Sequence, residues 1–599
     1  MSKELKKRSE VNREYTWATE DLYLTDEAWY EDLKKARDLK IHLLEYKGKL
    51  GNSASDLLGF YQYYDEIDIL LDNLAQYTGR KRDEDSKNAT YQGMYGSFMS
   101  LYVEISEALS FEDPELIAIP EETLQRFYKE KEALLLYQHH IDVKRRKKGH
   151  ILSQAEERIL AAATDLAAAP ADIYGILNNA DIIFPEIVDE DGDKVRITHG
   201  NFIPFMENSN RRVRKDAFEA LYSVYDQFKN TLAATLHAQI KQLQFNAKIR
   251  NYESNLEASL DETEVPVSVY HSLIEAVSNQ LPAMHRYVKL RKKVLDVDEL
   301  HMYDLYTPMV HEMNVKISYE EAQDTILKAL APLGEEYLSI LKSGFENRWI
   351  DVYENEGKRS GAYSAGAKVH PFVLMNYADT IDSMFTLAHE MGHAMHSYFS
   401  NRNQPNIYSN YKIFVAEVAS TCNESLLMQY LLKNTEDEQK RAYLINHFLD
   451  KFRATLYRQT MFAEFELLIN QLVEDSETLT AQLLSDLYHS LNIKYYGDDI
   501  VIDSQIDVEW ARIPHFYYNY YVFQYATGYS AAIALSNRIL KEGSPAVKDY
   551  LKFLSGGCST DPISLLKIAG VDMSTPAPIE EALKLFDSLI TELEALLTK

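Results

Sequence analysis

The residues of this chain best suited to chemistry are the five of the run His389-Glu390-Met391-Gly392-His393. Histidines four residues apart lie about 40° apart around a helix and one turn apart along it, so both imidazoles can reach one ion. A bound zinc ion lowers the pKa of a water molecule, and a carboxylate such as Glu390 can take the proton while the water attacks an amide carbonyl. The motif therefore predicts a zinc-dependent hydrolytic site on a helix. The alternative is a surface helix with two incidental histidines.

A catalytic zinc site needs a third protein ligand, because three side chains and a water molecule complete its coordination. His396 shares the helical face of His389, but it lies about 10.5 Å farther along a helix axis, so a straight helix would be strained if both bound one ion. The metzincin motif also fails, because the sequence has His396 and Phe399 where that motif has Gly and His. His396 remains the alternative third ligand.

A carboxylate from a second helix is the preferred third ligand. Glu417 lies 24 residues after His393, which is enough chain to reverse direction, and it stands in an apolar run between Ala416 and Val418. A buried carboxylate needs a partner, and a zinc ion is a suitable one. Glu424 is two turns later on the same face, where it would orient a zinc-binding imidazole without binding the metal. The alternative for Glu424 is an ordinary acid on a helix surface.

Helices are the elements predicted to position these residues. Apolar residues recur at spacings of three and four over residues 57–109 and 212–250, which is the pattern of amphipathic helices. Gly and Pro, both unfavourable inside helices, number only 22 and 16. Asp379 or Thr380 would cap the helix that carries the metal motif. The sequence therefore predicts a mainly α fold.

Strand patterns are few and local. Residues 182–198 contain two β-rich runs joined by a turn with Asp191-Gly192, which predicts a β-hairpin. A second extended region covers residues 357–377, directly before the metal helix, and has three glycines between 357 and 366. That glycine-rich stretch is either a mobile loop that closes over a bound peptide or a plain connection between strands. We place a boundary after the hairpin, with a helical N-terminal lobe over residues 1–199 and a helical catalytic domain over residues 200–599.

The charge of the chain excludes some classes of partner. The 599 residues carry a formal net charge of −29, from 92 acidic and 63 basic side chains. Such a field repels nucleic acid and anionic membranes and favours neutral or cationic ligands, although an acidic surface is also a common means of solubility. We therefore predict no nucleic-acid and no membrane partner.

Cysteine usage and the N-terminus indicate a cytoplasmic protein. The two cysteines, Cys422 and Cys558, are far apart in sequence and too few for a disulfide framework or a cysteine-based zinc site. The N-terminal residues are charged, and no apolar segment of a signal peptide follows them. The sequence contains no run of 18 apolar residues, so it predicts no membrane span.

Together, these motifs resemble the thimet oligopeptidase-like family of zinc metallopeptidases, and within it the oligoendopeptidase F branch. The most specific part of the resemblance is His389-Glu390-Met391-Gly392-His393-Ala394-Met395-His396 followed by Glu417-Val418-Ala419-Ser420-Thr421. Weaker similarities are Tyr15-Thr16-Trp17 near the start and residues 301–306 in the middle, so the resemblance covers nearly the whole chain.

The resemblance implies both a fold and a set of site residues. The family has two helical lobes around a deep channel that admits oligopeptides and excludes folded proteins. By this similarity His389, His393 and Glu417 would bind one zinc ion, and Glu390 would be the catalytic base. The resemblance gives His396 no metal role.

The family also uses a His and tyrosines from a late helix to bind substrate and stabilise the oxyanion. The matching segment here has six tyrosines in the fifteen residues from His515, more than a core would hold, because each buried hydroxyl needs a partner. A phenol near developing negative charge is a suitable donor. By resemblance His515 and Tyr525 are candidates for catalysis, and Tyr518, Tyr521 and Tyr529 for substrate binding. We expect these residues on one broad helical face, with Tyr521 at its edge.

The leading hypothesis is a zinc endopeptidase that hydrolyses internal bonds of short oligopeptides and acts as a monomer. Two alternatives remain. A helical zinc carboxypeptidase or aminopeptidase can share the two-histidine motif, but it would not cleave a peptide that is blocked at both ends. A catalytically silent peptide-binding or scaffold protein need hold no stoichiometric zinc.

Overall fold

Helices make up most of the fold. The computed structural model describes residues 5–310 and 316–597, and within these it has 24 α-helices and five short strands. The first thirteen helices are α1 (Asp26–Leu44), α2 (Ala54–Glu84), α3 (Ala89–Leu109), α4 (Glu112–Ala118), α5 (Glu121–Glu130), α6 (Gln138–Arg146), α7 (Gln154–Ala162), α8 (Thr164–Ile176), α9 (Phe202–Glu207), α10 (Arg211–Ile249), α11 (Asn255–Asp261), α12 (Val267–Asn279) and α13 (Leu281–Val294).

The later helices include those that carry the candidate site. They are α14 (Tyr319–Ala329), α15 (Gly334–Glu346), α16 (Ile381–Asn403), α17 (Ile413–Lys433), α18 (Glu438–Phe452), α19 (Arg458–Glu474), α20 (Ala481–Tyr496), α21 (Phe523–Glu542), α22 (Ser544–Leu554), α23 (Pro562–Ile568) and α24 (Ala577–Leu597). The prediction of a mainly α fold is confirmed.

Helix ends follow the local sequence. The apolar periodicity of residues 57–109 belongs to α2 and α3, and that of residues 212–250 belongs to α10. Ser53 and Asn210 precede α2 and α10, and the side chain of each accepts a hydrogen bond from a backbone N–H of the first turn. Because these N–H groups have no partner inside the helix, a short polar side chain determines where each helix begins.

The strands form two small sheets. β1 (Glu186–Val188) and β2 (Lys194–Arg196) pair antiparallel, which confirms the predicted hairpin. The second sheet has the order β3 (Ile350–Asp351), β5 (Phe372–Leu374), β4 (Tyr363–Ala365), with β5 parallel to β3 and antiparallel to β4. The glycine-rich stretch, residues 357–366, therefore contains β4, and α16 packs against β4 and β5.

Contacts divide the chain into two compact units. The first unit takes in Met1–Gly149, Val315–Leu427 and Leu535–Gly570, and the second takes in His150–Asn314, Met428–Ala534 and Val571–Lys599. Each unit is therefore built from three separate segments. The division of the sequence into residues 1–199 and 200–599 stays a prediction.

Each unit has its own core. In the first unit, apolar side chains of α1, α2, α3 and the short helices after them form one cluster, and Trp17 packs with Phe372 and Leu374 of the sheet in another. In the second unit, the 39-residue helix α10 packs against α8, α9, α19 and α20. One helical stretch of the described chain, Ala155–Asp181, is long and apolar enough to cross a membrane by length and composition, and 6% of its apolar window is buried. The absence of a membrane span stays a prediction.

Candidate active site

Helix α16 carries the metal motif in its third and fourth turns. Of the two predicted caps, Thr380 is the residue that precedes the helix, and its side chain accepts a hydrogen bond from the N–H of Ser383. Asp379 lies one residue earlier in the left-handed region, with φ of 55°. Because the cap determines where the helix begins, it also determines which face carries His389 and His393.

Three side chains from two helices meet at one place in the first unit. The Nε2 atoms of His389 and His393 are 3.2 Å apart. Oε2 of Glu417, which lies on α17, is 3.3 Å from the first of these atoms and 3.5 Å from the second. The three atoms therefore form a nearly equilateral triangle.

This triangle fits a tetrahedral zinc site. Ligand atoms about 2.0–2.1 Å from one ion at tetrahedral angles are themselves about 3.3 Å apart, and a catalytic site keeps its fourth position for water. Two imidazoles and a carboxylate are donors that zinc accepts. The described residues contain one group of three or more His, Cys, Asp and Glu side chains spaced to hold a metal ion, and it consists of these three.

Electrostatics also favour a cation here. Burial alone would lower the pKa of His389, but its hydrogen bonds to Glu417 and Glu424 outweigh burial and raise that pKa to about 10. Burial alone would raise the pKa of Glu417, yet pairing with His389 and His393 holds it well below its ordinary value. The two carboxylates stabilise positive charge at the triangle, which a metal ion would supply.

Glu424 orients one of the imidazoles. Its Oε1 lies 2.6 Å from Nδ1 of His389, and its side chain is largely buried. A histidine that donates its Nδ1–H to a carboxylate has its Nε2 lone pair available for a metal. The side chain is therefore not that of an acid on a helix surface, and its orienting role stays a proposal.

Gly392, inside the motif, allows the two helices to cross closely. A Cβ atom at this position would lie 2.5 Å from Cα of Ser420 and 2.8 Å from the carbonyl oxygen of Ala419, both on α17. Asn423, also on α17, donates to the carbonyl of Ala388 at 3.1 Å. These contacts set the distance at which α17 presents its carboxylates. Reasoning from the sequence missed them, although Gly inside a helix is an available signal of close approach.

Glu390 is a buried carboxylate beside the two histidines. It is 7% exposed, and its Oε2 has no hydrogen-bond partner among the described residues. Burial raises the pKa of Glu390, while the neighbouring histidines oppose that rise. A carboxylate whose basicity is raised by burial is a better proton acceptor than one in open water.

The environment of His396 differs from that of the three residues of the triangle. It is fully buried, it stacks on Tyr411 with ring centroids 3.8 Å apart, and it packs near Phe553. Burial lowers its pKa to about 3, so the ring is neutral at physiological pH. Neither ring nitrogen has a hydrogen-bond partner among the described residues. The contacts of His396 are those of an aromatic core residue.

A second group of predicted residues gathers in the second unit. The rings of Tyr518, Tyr521 and Tyr525 surround His515 at centroid distances of 5.5, 6.2 and 5.8 Å. The hydroxyl of Tyr525 is 3.3 Å from Nε2 of His515. We call these four residues the aromatic cluster. Burial and the charge of Arg458 lower the pKa of His515, so its imidazole is neutral at neutral pH.

The expectation of one helical face for this segment is wrong. Residues Pro514–Tyr517 form a single 3-10 turn, and α21 begins only at Phe523. Between them Asn519 and Tyr520 have φ of 51° and 60°. We call this pair the left-handed turn; a right-handed helix cannot pass through it.

Tyr529 packs in the interior of the second unit. It is 5% exposed, and its ring meets Phe452 edge to face at a centroid distance of 5.0 Å. The structure therefore brings together four of the five predicted residues of this segment, and it places the fifth in the apolar core of the second unit.

Comparison with known proteins identifies relatives over the whole chain. Residues 204–585 match the description "Peptidase family M3", and residues 115–184 match "Oligopeptidase F". The chain is 51% identical to oligopeptidase PepF of Bacillus subtilis (strain 168), over 100% of this chain and 89% of the relative. It is 41% identical to group B oligopeptidase PepB of Streptococcus agalactiae, over 99% of this chain and 98% of the relative.

A solved structure supports the same assignment. The crystal structure of oligoendopeptidase-F from Enterococcus faecium superimposes with a TM-score of 0.76 at 40% identity, covering 96% of this chain and 99% of that one. The family match spans more than half of the sequence and includes every residue of the candidate site. The chain therefore belongs to peptidase family M3, and it is a metallopeptidase of the oligoendopeptidase F type.

Proposed function

We propose that this protein is a zinc-dependent endopeptidase that hydrolyses internal bonds of short oligopeptides, with Glu390 as the general base. The observation that carries the proposal is the triangle of His389, His393 and Glu417, whose sides of 3.2 to 3.5 Å suit one tetrahedral ion. Glu424 would hold His389 in the tautomer that binds the metal.

The protein's own residues would divide the chemistry between them. Zinc, when bound, supplies a Lewis acid that makes a water molecule more acidic and polarises a carbonyl. Glu390 would take the proton of the attacking water and then deliver it to the leaving amine. A buried carboxylate of raised pKa is suited to both steps, because it must accept and release one proton near neutral pH.

His515 and Tyr525 would stabilise the oxyanion of the tetrahedral intermediate. A neutral imidazole and a phenol can each donate a hydrogen bond to developing negative charge. Their mutual contact of 3.3 Å supports a shared role. We propose that Tyr518 and Tyr521 contribute to the binding of the peptide, and that Tyr529, buried against Phe452, has a structural role instead.

The oligomeric state, the location and the partners of the protein are also proposals. We infer a monomeric cytoplasmic enzyme with no nucleic-acid or membrane partner, in keeping with a net charge of −29 and two cysteines. We also infer that the substrates are limited to oligopeptides. The names of the relatives, oligopeptidase and oligoendopeptidase, support this substrate class.

Metal analysis of two variants tests the proposed ligand set. Purified protein should contain one zinc ion per chain, and an anomalous-scattering map should place it between the three proposed ligands. Glu417→Ala should lose the ion, whereas His396→Ala should retain it. Retention by the first variant and loss by the second would refute the ligand assignment.

Cleavage of a peptide blocked at both termini tests the endopeptidase activity. We expect internal cleavage that stops on chelation and returns when zinc is added. An intact blocked peptide, with cleavage of the same peptide carrying free termini, would indicate a carboxypeptidase or aminopeptidase. Peptide binding without cleavage by the zinc-loaded protein would indicate a scaffold.

A further inference from the structure

The left-handed turn is a strained feature in the middle of the aromatic cluster. Its two residues, Asn519 and Tyr520, stand between Tyr518 and Tyr521 in the sequence and are both in the left-handed region. Asn tolerates this region, but a bulky aromatic residue such as Tyr520 seldom adopts it. Strained backbone persists only when surrounding contacts hold it.

A buried carboxylate supplies one such contact. Glu466 of α19 accepts a hydrogen bond from the N–H of Tyr520 at 2.6 Å. The residue is 1% exposed, and its Oε2 has no hydrogen-bond partner in the described part of the chain. The ring of Tyr520 packs edge to face on Tyr270 of α12, with centroids 5.4 Å apart, and is itself buried.

A buried amide on a different helix supplies the second contact. Nε2 of Gln239, on α10, lies 3.1 Å from Oδ1 of Asn519 and 3.3 Å from the carbonyl oxygen of Tyr517. The hydroxyl of Tyr517 meets Thr235, one turn earlier on α10, at 2.9 Å. The left-handed turn is therefore held at Tyr520 by a residue of α19 and at Asn519 by a residue of α10.

Burying a carboxyl group costs free energy, and among the described residues Glu466 makes only one hydrogen bond to a backbone N–H in return. Burial raises the pKa of Glu466 to about 8, against the opposing effect of the Tyr520 amide, so the group is protonated at neutral pH. A protonated carboxyl still accepts through its carbonyl oxygen. The mechanism proposed above uses neither Glu466 nor Gln239, and neither is within the metal site of the first unit.

We propose that Glu466 is a positioning residue for the aromatic cluster: with Gln239 it fixes the left-handed turn, and the turn sets where the three tyrosine rings stand around His515. The inference rests on the proposed oxyanion role of the cluster only for its effect on catalysis. The effect on the geometry of the cluster is independent of that role.

The chain offers variants that separate hydrogen bonding from packing. Glu466→Met keeps most of the side-chain volume but cannot accept from Tyr520, whereas Glu466→Gln keeps an acceptor oxygen and resembles the protonated carboxyl. Glu464→Met is the matched control, since Glu464 lies on the same helix and pairs with Lys494 and Tyr495 instead of the turn.

The zinc-loaded full-length variants would be compared in kcat, KM, zinc content and melting temperature. We expect Glu466→Met to lower kcat about tenfold or more with KM changed less than about threefold, because the donors would no longer match the transition state. Glu466→Gln should restore most of kcat, and Glu464→Met should leave kcat per zinc ion close to that of the parent. If Glu466→Met and Glu466→Gln lowered kcat equally, the hydrogen-bonding role of Glu466 would be overturned.

A spectroscopic measurement tests the geometry without activity. In protein labelled with ¹³C on histidine Cε1, the His515 signal, assigned from a His515→Gln variant, should shift in Glu466→Met and not in Glu464→Met. An unchanged His515 signal together with unchanged kcat would refute the positioning role. A shifted His515 signal with unchanged kcat would support the positioning role but refute the proposed role of the cluster in catalysis. In that case Tyr525→Phe should also leave kcat unchanged.

Discussion

At the scale of single residues, His389 illustrates how the site is set. One nitrogen of its ring faces Glu424 at 2.6 Å, and the other faces Glu417 at 3.3 Å. Because a histidine nitrogen can bind a metal only through its lone pair, a carboxylate on the far nitrogen determines which atom points at the ion. The neighbouring Glu390 differs in that its buried Oε2 has no hydrogen-bond partner among the described residues.

Glu390→Gln tests the division of labour between ligands and base. The amide keeps the size and polarity of the side chain but cannot take a proton. We expect kcat to fall at least about 100-fold, the usual contribution of a general base, with zinc content unchanged. Activity assays and metal analysis on the same sample check this, and a variant that keeps more than about a tenth of parental kcat would exclude Glu390 as the base.

The burial of Glu466 should also make the stability of the folded protein depend on pH. Its pKa rises from an ordinary value near 4.5 to about 8 in the folded chain, and the groups that face it, the hydroxyls of Tyr270 and Tyr520, have raised pKa values too and stay neutral. A group whose pKa is raised by folding contributes stability that is complete below its unfolded pKa. That contribution is lost as the pH rises towards the folded value.

The parent should therefore lose stability relative to Glu466→Gln between about pH 5 and about pH 8. The loss should approach about 1.4 kcal/mol per pH unit where the folded form holds a proton that the unfolded form has released. Melting temperatures of the two proteins measured across this range provide the check. A difference that stays constant with pH would show that Glu466 titrates alike in both states.

At the scale of elements, the close crossing of α16 and α17 positions the proposed metal ligands. The apolar pattern and the caps determine each helix by itself, but the distance between them depends on Gly392 against Ser420 and on Asn423 against Ala388. The contacts explain why a residue unfavourable inside helices stands in the middle of the motif. A side chain there would separate the helix of the histidines from the helix of the carboxylates.

Gly392→Ala should weaken zinc binding. The new methyl group would meet backbone atoms of α17 at 2.5 to 2.8 Å, so the helices must move apart, at a cost of about 1–3 kcal/mol. We expect at least about a tenfold loss of metal affinity, measured by competition with a chelator. Gly79→Ala in α2 is the control, because no atom lies within 4 Å of a Cβ there, and it should leave affinity unchanged.

At the scale of the whole molecule, charge is the property most open to measurement. With 92 acidic and 63 basic residues, the protein carries a field that should attract cationic peptides and repel anionic ones. Such attraction is screened by salt over a distance of about 10 Å at 0.1 M.

A matched pair of blocked peptides, one cationic and one neutral, tests this attraction. We expect the ratio of their kcat/KM values to fall about threefold or more between low salt of about 20 mM and high salt of about 500 mM. A ratio that does not change with salt would mean that the acidic surface serves solubility alone. Activity on the neutral peptide controls for effects of salt on the enzyme.

Local features were predictable from the sequence alone: the helical class, the hairpin between residues 182 and 198, a cap at Asp379 or Thr380, and the motif of His389 and His393. All of these depend on residues within a few positions of one another, so periodicity and spacing are enough to predict them. The sequence also pointed to Glu417 and Glu424, because acids in an apolar helix need partners.

Features that depend on contacts between distant segments became visible only in the folded chain. The tertiary structure placed Glu417 in the triangle and His396 among aromatic side chains, although both are acceptable ligands by type. It replaced the expected late helix with the left-handed turn, whose strain is held by Glu466 and Gln239 from other helices. Local propensity contains none of these partners, and the three separate segments of each compact unit could not be read from one boundary in the sequence.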